Sequence, residues 1–282
     1  MLTRNEFAKK FCEEVPSGGK EGNNQGEIYF THFSLSGLEE MHRYSTDERL
    51  YEFFEFAPFK TIDETKAYIG KLLDRMSCES LDRNAMYWFV RRKSDDYLIG
   101  TAALVSLNFS RQSIEWGYGV DPELWGLGYV LQIQEVLKRF AFGVLELNRL
   151  HGITMVENER TIQSVLASGM RHEGILRGFY CKNGVYHDGW QYGMIAKDYQ
   201  ENSIETSLVS VEINDILTVV SSILTEEEIT AESDMENTFS WDSINHMAII
   251  TALKSQLSID FSPAEIANST SIKIIYKKAN EG

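Results

Sequence analysis

Residues 117–129 read Gly-Tyr-Gly-Val-Asp-Pro-Glu-Leu-Trp-Gly-Leu-Gly-Tyr, and this stretch decides the fold of the larger part of the chain. A predicted strand ends at Val120, and a predicted amphipathic helix starts after Gly128. Gly126 and Gly128 lie between the two, where residues without a side chain leave backbone N–H groups exposed and the helix dipole adds positive potential. The stretch therefore indicates a cradle for a diphosphate, or a tight strand-to-helix turn that needs the same glycines.

Strands and helices follow one another in a mixed order around this stretch. The hydrophobic periodicity predicts strands at residues 87–92, 97–107, 113–120 and 150–156, helices after Gly128 and over residues 161–168, and a closing hairpin around Asn183-Gly184. An antiparallel hairpin followed by a β-loop-α unit is typical of the α+β class.

Several short motifs occur along the same region. They are Ile114, Gly117-Tyr118, Pro122, Trp125-Gly126-Leu127-Gly128-Tyr129, Asn148-Arg149, Asn158-Glu159-Arg160-Thr161, Gly169-Met170, Glu173-Gly174-Ile175-Leu176-Arg177, Gly184, Asp188 and Tyr192. Through these motifs the region resembles the GNAT superfamily of acyltransferases, and within it the branch that acetylates the N-terminal residues of ribosomal proteins. The resemblance implies a mixed, largely antiparallel sheet with flanking helices, which moves an acyl group from a thioester to an amine.

The resemblance also implies which residues bind the acyl donor, acyl-CoA or acetyl-CoA. These residues are Val120, Gly126, Leu127, Gly128, Tyr129, Val130 and Asn158. Acyl transfer to an amine needs a base, and Glu115 is the candidate, with a salt-bridged strand residue as the structural alternative. Thr161 is a weaker candidate, for steadying the thiolate or a water. Tyr118 and Tyr180 are candidate acids, against a structural role as core or pocket-wall aromatics.

Four positions depart from the family pattern. Val130 replaces a small residue beside the cofactor, Gln132 replaces a common glutamate, and Trp125 stands where many members have Arg or Gln. Val165 occupies the position at which several relatives place the tyrosine that protonates the leaving thiolate. A bulkier and less polar cradle agrees with weak binding of coenzyme A, or with a donor that lacks diphosphate-adenosine, such as carrier-bound phosphopantetheine.

A second motif, Asp242-Ser243-Ile244, begins a predicted helix over residues 243–257. The surrounding signals are a helical period over residues 208–224, an acidic loop whose Phe239 and Trp241 are expected to be buried, a helix start at Pro263 and an apolar turn at residues 272–276. An Asp-Ser pair is by itself a common helix cap. In its order of elements the segment resembles an acyl carrier protein, a small four-helix bundle in which Ser243 carries covalent 4′-phosphopantetheine.

These patterns divide the chain of 282 residues into four segments. Residues 1–26 are polar and expected to be flexible, with a short amphipathic helix over residues 4–14. Residues 27–199 form the expected acyltransferase domain, residues 200–206 a linker, and residues 207–282 the expected carrier domain.

The net charge of −15 is shared unevenly, since residues 203–282 hold 13 Asp or Glu against 4 Lys or Arg. Such an acidic chain is not expected to bind nucleic acid or an anionic membrane, and it suits docking on basic patches of partner enzymes. Plain solubility explains the same charge.

Other sequence features narrow the class of protein. The three cysteines are widely spaced and form neither a disulfide framework nor a zinc motif, and His151, His172 and His187 have no metal-site spacing. There is no apolar run of membrane-spanning length and no signal-peptide pattern. We therefore expect a cytoplasmic protein without a metal.

Three functions agree with the sequence. The first is an acyltransferase with a built-in carrier, acting between the Ser243 arm or acyl-CoA and a small-molecule amine in a specialised-metabolite or surface-glycan pathway. It requires a phosphopantetheinyl transferase and an acyl- or aminoacyl-loading enzyme as partners. The altered cradle favours the carrier's cargo as donor over N-acetylation of an aminoacyl group on the carrier. The second function is a degenerate GNAT domain that acts as a docking scaffold, and the third is a plain acetyl-CoA-dependent N-acetyltransferase.

Overall fold

The computed structural model of the chain describes residues 2–16, 26–76, 84–200, 211–224, 228–257, 259, 261 and 263–280. The chain divides into two compact units, Met1–Asn202 and Ser203–Gly282. Most of the linker expected at residues 200–206 lies outside the described residues, which resume at residue 211. The two units are described in turn.

A seven-stranded sheet forms the centre of the first unit. Its strands are β1 (Ile28–His32), β2 (Met86–Arg92), β3 (Leu98–Asn108), β4 (Ser113–Val120), β5 (Arg149–Met155), β6 (Arg171–Lys182) and β7 (Val185–Ile195). They lie in the order β1-β2-β3-β4-β5-β7-β6. Neighbouring strands are antiparallel except β4 and β5, which are parallel. This is the mixed, largely antiparallel sheet that the sequence predicts.

Helices pack against both faces of this sheet. They are α1 (Arg4–Glu13), α2 (Leu38–Ser45), α3 (Ile62–Met76), α4 (Tyr129–Lys138) and α5 (Glu159–Ala167). Strand β2 shows why the sheet needs helices on both faces. Its successive side chains point to opposite faces of the sheet, and both faces are apolar. Trp88 joins a cluster with Phe140 of the segment after α4, whereas Phe89 joins a second cluster with Ile69 of α3.

The closing hairpin follows directly from its turn residues. Asn183 and Gly184 both have left-handed backbones, with φ of 53° and 78°. Two successive residues of this kind match the right-handed twist of the strands that they join, which is why Asn-Gly favours a two-residue hairpin. The structure confirms the hairpin predicted at this dipeptide, between β6 and β7.

The amino-terminal helix agrees with the short amphipathic helix expected over residues 4–14. Helix α1 spans Arg4–Glu13 and is capped by reciprocal hydrogen bonds between Thr3 and Glu6. Phe7 and Phe11, one turn apart, are buried in the same apolar cluster as Trp88. The polar composition of the segment hides these two aromatic side chains, which hold residues 4–13 against the rest of the unit.

The second unit is helical in its described part. Its helices are Ile213–Ile223, Ser243–Leu257, Pro263–Asn268 and Ile272–Asn280. Their apolar residues form one cluster, which includes Ile216, Val220, Trp241, Ile249 and Leu253. The helices predicted to start at Ser243 and Pro263 are confirmed. A carrier-protein bundle does not follow from the helices alone.

The loop before Ser243 is anchored by one aromatic residue instead of two. Trp241 is buried, and its indole N–H donates to Nδ1 of His246 at 3.1 Å. His246 Nε2 lies 2.7 Å from the carbonyl oxygen of Ile266 and, as the remaining N–H, donates to it. The expectation that Phe239 is also buried is wrong, since its side chain is 99% exposed. Because Trp241 already fills the core at this corner, Phe239 is left at the surface.

Within the described residues, none of the helices combines the length and the apolar character needed to cross a membrane.

Candidate active site

The separation of β4 from β5 creates the main cavity of the first unit. The two strands pair only over Ser113–Glu115 and Arg149–His151, whereas β4 pairs with β3 as far as Val120. Beyond Glu115 the edge of β4 that faces β5 therefore has no strand partner. A cavity of about 600 Å³ opens there. Its walls come from β4, β5, α4, α5, the segment 49–56 and the β6–β7 hairpin.

One end of the cavity is the glycine turn before α4. Gly126 and Gly128 have φ of 80° and 82°, and an added Cβ at either would meet no atom within 4 Å. Gly128 caps α4 without any side-chain hydrogen bond, so the first-turn N–H groups of the helix keep their donor capacity. Left-handed glycines, open space and a helix start are the features of an anion cradle, and this turn has all three.

Trp125 lines the cavity beside the cradle and is held by two contacts. Its indole N–H donates to the carbonyl oxygen of Val120 at 3.0 Å, and the guanidinium of Arg160 lies 3.9 Å from the ring centre. Arg160 therefore brings a positive charge to the cradle end of the cavity.

Most of the residues expected to bind the donor line this cavity. They are Val120, Gly126, Gly128, Tyr129, Val130 and Asn158, together with the candidate Thr161. Leu127 is the exception, because its side chain points outward and is 58% exposed. Asn158 has a structural task as well: its side-chain oxygen accepts from the backbone N–H of Thr161 and caps α5.

Glu115 lines the same cavity at the point where β4 and β5 part. Burial raises the pKa of its carboxyl group, and a hydrogen bond from Ser106 partly offsets that rise. Ser106 stands at an irregularity of β3 and has a left-handed backbone with φ of 55°. A strained residue at a strand irregularity beside a cavity is a common way to aim a side chain. The Glu115 carboxyl group is thus half-buried, faces the cavity and is held by Ser106.

The candidate acids are held by other groups. The hydroxyl of Tyr180 donates to the carbonyl oxygen of Ile153 at 2.8 Å, and burial raises its pKa, as do the nearby carboxylates Glu115 and Glu55. The hydroxyl of Tyr118 accepts from the side chain of Gln134 at 2.7 Å, and its pKa is raised by burial. Val165 is fully buried in the apolar cluster.

The segment 49–56 forms a wall that the sequence analysis missed. Leu50, Phe53, Phe54, Glu55 and Phe56 all line the cavity. The signal was present in the sequence, because residues 51–56 read Tyr-Glu-Phe-Phe-Glu-Phe, an unusual density of rings and acids. Which of these residues face a site cannot be read from a loop, since a loop lacks a period.

The tip of the β6–β7 hairpin is tied to this wall. The backbone N–H of Cys181 donates to Glu55 Oε1 at 2.8 Å. Lys182 Nζ donates to the carbonyl oxygens of Tyr51 and Glu52 at 2.8 and 2.6 Å. These bonds fix this side of the cavity in place. Across the described residues, no group of three His, Cys, Asp or Glu side chains is arranged to hold a metal ion.

Ser243 belongs to the second unit. It is exposed and is the first residue of its helix. The Asp242 carboxylate accepts from the backbone N–H groups of Ile244 and Asn245 at 2.9 and 2.8 Å, so aspartate performs the capping. The serine hydroxyl is thus not needed as a cap. Ile244 and Met247 are exposed beside it, at 80% and 50%.

Substitution of Gly128 by alanine is expected to weaken binding of acetyl-CoA about tenfold. Alanine at this position must adopt a left-handed backbone, which costs roughly 1–2 kcal/mol, and relief of that strain would shift the N–H groups of the turn. Isothermal titration calorimetry measures the effect, with Gly143→Ala as control because that glycine has open space and no positive φ. Equal Kd values for the two variants would contradict a phosphate role for the turn.

Comparison with known proteins identifies the family to which the first unit is similar. Residues 27–171 match the family described as the acetyltransferase (GNAT) domain. The chain is 26% identical over 114 residues to the uncharacterized N-acetyltransferase YoaA of Bacillus subtilis, and the match covers 40% of the chain and 64% of that protein. It is 22% identical over 166 residues to spermidine N(1)-acetyltransferase of Vibrio cholerae, covering 59% of the chain and 91% of that protein.

Solved structures share the fold of the first unit. The spermidine N-acetyltransferase of Vibrio cholerae in complex with CoA and spermine has a TM-score of 0.53 at 20% identity, covering 62% of the chain and 98% of that structure. An acetyltransferase of the same family from Bacillus anthracis has a TM-score of 0.53 at 17% identity, covering 61% of the chain and 96% of that structure.

Proposed function

Since this chain belongs to the GNAT acetyltransferase family, whose members transfer acyl groups to amines, we propose that its first unit transfers an acetyl group from acetyl-CoA to a small-molecule primary amine. One observation carries the proposal: a single cavity has an anion cradle at one end and a half-buried carboxylate, Glu115, further along β4. A diphosphate fits the first feature, and an amine that must lose a proton fits the second.

The end of the cavity formed by the glycine turn supports coenzyme A as the acyl donor. The backbone N–H groups of Gly126 and Gly128 and of the first turn of α4 would hold the diphosphate, with Arg160 nearby. The unpaired edge of β4 beyond Glu115 would hold the pantetheine arm. When bound, acetyl-CoA supplies an activated acyl group. Because both glycines keep the geometry of a cradle, we favour coenzyme A as donor over the carrier-bound donor that the sequence favoured.

The acceptor side, which is the part of the cavity lined by Glu115, supports removal of a proton from the amine by this residue. Its pKa is raised by burial, which makes the carboxylate a stronger base, and Ser106 holds it in place. The hydroxyl of Thr161 lines the cavity beside Asn158 and is available to steady a thiolate there. Tyr180 and Tyr118 serve as cavity walls, because their hydroxyl groups already hold hydrogen bonds within the protein.

The test is an acetyl-transfer assay on the purified full chain. Acetyl-CoA is incubated with a panel of primary amines, and both thiol release and acetylated product are measured. We expect product with at least one amine. Absence of product with every amine, together with bound acetyl-CoA, would favour the scaffold alternative. Product only with peptides bearing ribosomal-protein N-termini would favour protein acetylation instead.

A second proposed function concerns the second unit as an acyl carrier. Ser243 is exposed at the start of a helix, and Asp242 takes over the capping. This leaves the serine hydroxyl open to attachment of 4′-phosphopantetheine, with the negative phosphate near the positive end of the helix. With coenzyme A as donor, the carrier would present an aminoacyl group whose amine is acetylated. A phosphopantetheinyl transferase and an aminoacyl-loading enzyme are then the partners.

Intact-mass spectrometry tests the carrier proposal. The full chain is incubated with coenzyme A and a phosphopantetheinyl transferase, and we expect a mass gain of one phosphopantetheine that Ser243→Ala abolishes. Absence of the gain would reject the carrier.

A further inference from the structure

Two carboxylates lie at the acceptor side of the cavity. Glu115 and Glu55 both line it, the first from β4 and the second from the segment 49–56. Both act on the hydroxyl of Tyr180, whose pKa they raise in addition to the effect of burial. A single hydroxyl near both carboxylates indicates that the two negative groups border one space.

The positive side chains near this space are held by other groups, and Lys182 is held by the backbone carbonyl oxygens of Tyr51 and Glu52. Among the described residues that line the cavity, the Lys and Arg side chains are Arg49 and Arg160. Arg49 is held by the carboxylates of Asp47 and Glu123. Arg160 lies over Trp125 at the cradle end. The acceptor side therefore favours a cationic ligand.

The rest of the acceptor wall is apolar and fixed. The rings of Phe54 and Phe56 are 5.4 Å apart, and each lies 5.5 Å from the ring of Tyr51. Phe56 also packs on Tyr68 at 5.7 Å. Because these rings hold one another, little side-chain freedom is lost when a ligand binds.

Such a wall discriminates against a second ammonium group. An ion–ring contact at an exposed site is weak. Glu55 and Glu115 both serve the ammonium group that reacts, so a second ammonium group on the aromatic wall would have no counter-ion of its own, and leaving water would cost it more than the ring contact returns. A chain with several charges would therefore place its outer ammonium groups poorly here, whereas an apolar skeleton would bury surface against the rings.

The β6–β7 hairpin holds the Glu55 side chain in position. Glu55 Oε1 accepts from the backbone N–H of Cys181 at 2.8 Å, and Lys182 ties the same hairpin tip to the backbone at residues 51 and 52. A carboxylate has acceptor capacity for about four hydrogen bonds, so Glu55 can bind an ammonium group as well.

We infer that the acceptor is a monoamine with an aromatic or branched apolar skeleton, and that Glu55 is a specificity-determining residue that pairs with its ammonium group before transfer. The inference rests on the proposed acetyl transfer to amines. A preference for such a monoamine distinguishes this cavity from one that binds a linear polyamine.

Steady-state kinetics on the full chain with acetyl-CoA tests the inference, using 2-phenylethylamine and 1,4-diaminobutane as probes. We expect kcat/KM to be at least about tenfold higher for 2-phenylethylamine. Glu55→Gln should raise KM for 2-phenylethylamine about five- to tenfold, while kcat and KM for acetyl-CoA stay within about twofold. Glu52→Gln is the matched control, since Glu52 is an exposed carboxylate of the same segment outside the cavity wall.

Phe56→Ala separates the apolar contact from the charge. It should raise KM for 2-phenylethylamine about fivefold and change KM for 1,4-diaminobutane by less than about twofold. Preference for the diamine, an equal effect on both probes, or an effect of Glu52→Gln equal to that of Glu55→Gln would overturn the inference.

Calorimetric measurement of the binding of the two amines distinguishes failure of this inference from failure of the proposed function. If 2-phenylethylamine binds more tightly than the diamine and Glu55→Gln weakens it, but no amine is acetylated, the inference stands and the proposed function fails. If amines are acetylated without that binding preference, the proposed function stands and the inference fails.

Discussion

Substitution of Glu115 by glutamine is expected to lower kcat/KM for acetyl transfer by about 10²–10⁴-fold, the range that a positioned general base contributes. Glutamine keeps the size of the side chain and its place on β4 but cannot accept the proton of the amine. Binding of acetyl-CoA should be unchanged, because the cradle at Gly126 and Gly128 is built from backbone at the other end of the cavity.

The pH dependence of the reaction gives a second readout for Glu115. Burial raises the pKa of this carboxyl group, so the acid limb of kcat/KM should lie above the range of an ordinary glutamate. Activity is then lost as the pH falls through the raised pKa, because the base becomes protonated. The hydrogen bond from Ser106 opposes the rise, and Ser106→Ala should therefore move the acid limb to higher pH.

A surface glutamate provides the control. Glu39 is exposed on α2, and Glu39→Gln should leave both the rate and the pH profile unaltered. Retention of most activity in Glu115→Gln would assign the proton transfer to another group. An unchanged pH profile in Ser106→Ala would limit Ser106 to a structural role.

Substitution of Gly100 by alanine should lower the free energy of unfolding of the first unit by about 3 kcal/mol or more. An added Cβ would lie 2.1 Å from the carbonyl oxygen of Gly119 and 2.9 Å from Cα of Val120. These are backbone atoms of β4, so relief requires the two paired strands to move apart. For a unit of this size, such a loss lowers Tm by roughly 6–12 °C.

A change from glycine to alanine at position 70 should instead raise the free energy of unfolding. Gly70 lies within α3, and an added Cβ there meets no atom within 4 Å. Gly70→Ala should stabilise the protein by roughly 0.5–1 kcal/mol, because alanine is the better helix former. Thermal unfolding followed by circular dichroism compares the two variants. A Gly100→Ala protein as stable as the unaltered chain would show that β3 and β4 are less tightly paired than described.

Strong local signals made part of this molecule predictable. The strand over residues 113–120 and the hairpin at Asn183-Gly184 follow from alternation and from turn chemistry, and both are present. The glycine turn and Glu115 were identified from short motifs around them. Their place in one cavity follows from the sheet topology, which sets β4 beside β5.

Features that depend on tertiary packing were missed. Glu55 meets Cys181 across 126 positions in the sequence, and no local pattern encodes such a contact. Ser106 takes a left-handed backbone although serine has no preference for it, because the irregularity in β3 imposes that geometry. Phe239 and Trp241 are similar in character and two residues apart, yet only tertiary packing decides which of them is buried.

Helix α1 extends the folding unit beyond the homologous region. The family match begins at residue 27, yet Phe7 and Phe11 lie in one apolar cluster with Trp88 and Phe140. A chain that begins at residue 27 would expose the surface that these two rings cover, and exposed apolar surface promotes aggregation. Anyone who transplants this catalytic unit or produces it alone should therefore keep residues 2–16, although the family match begins after them.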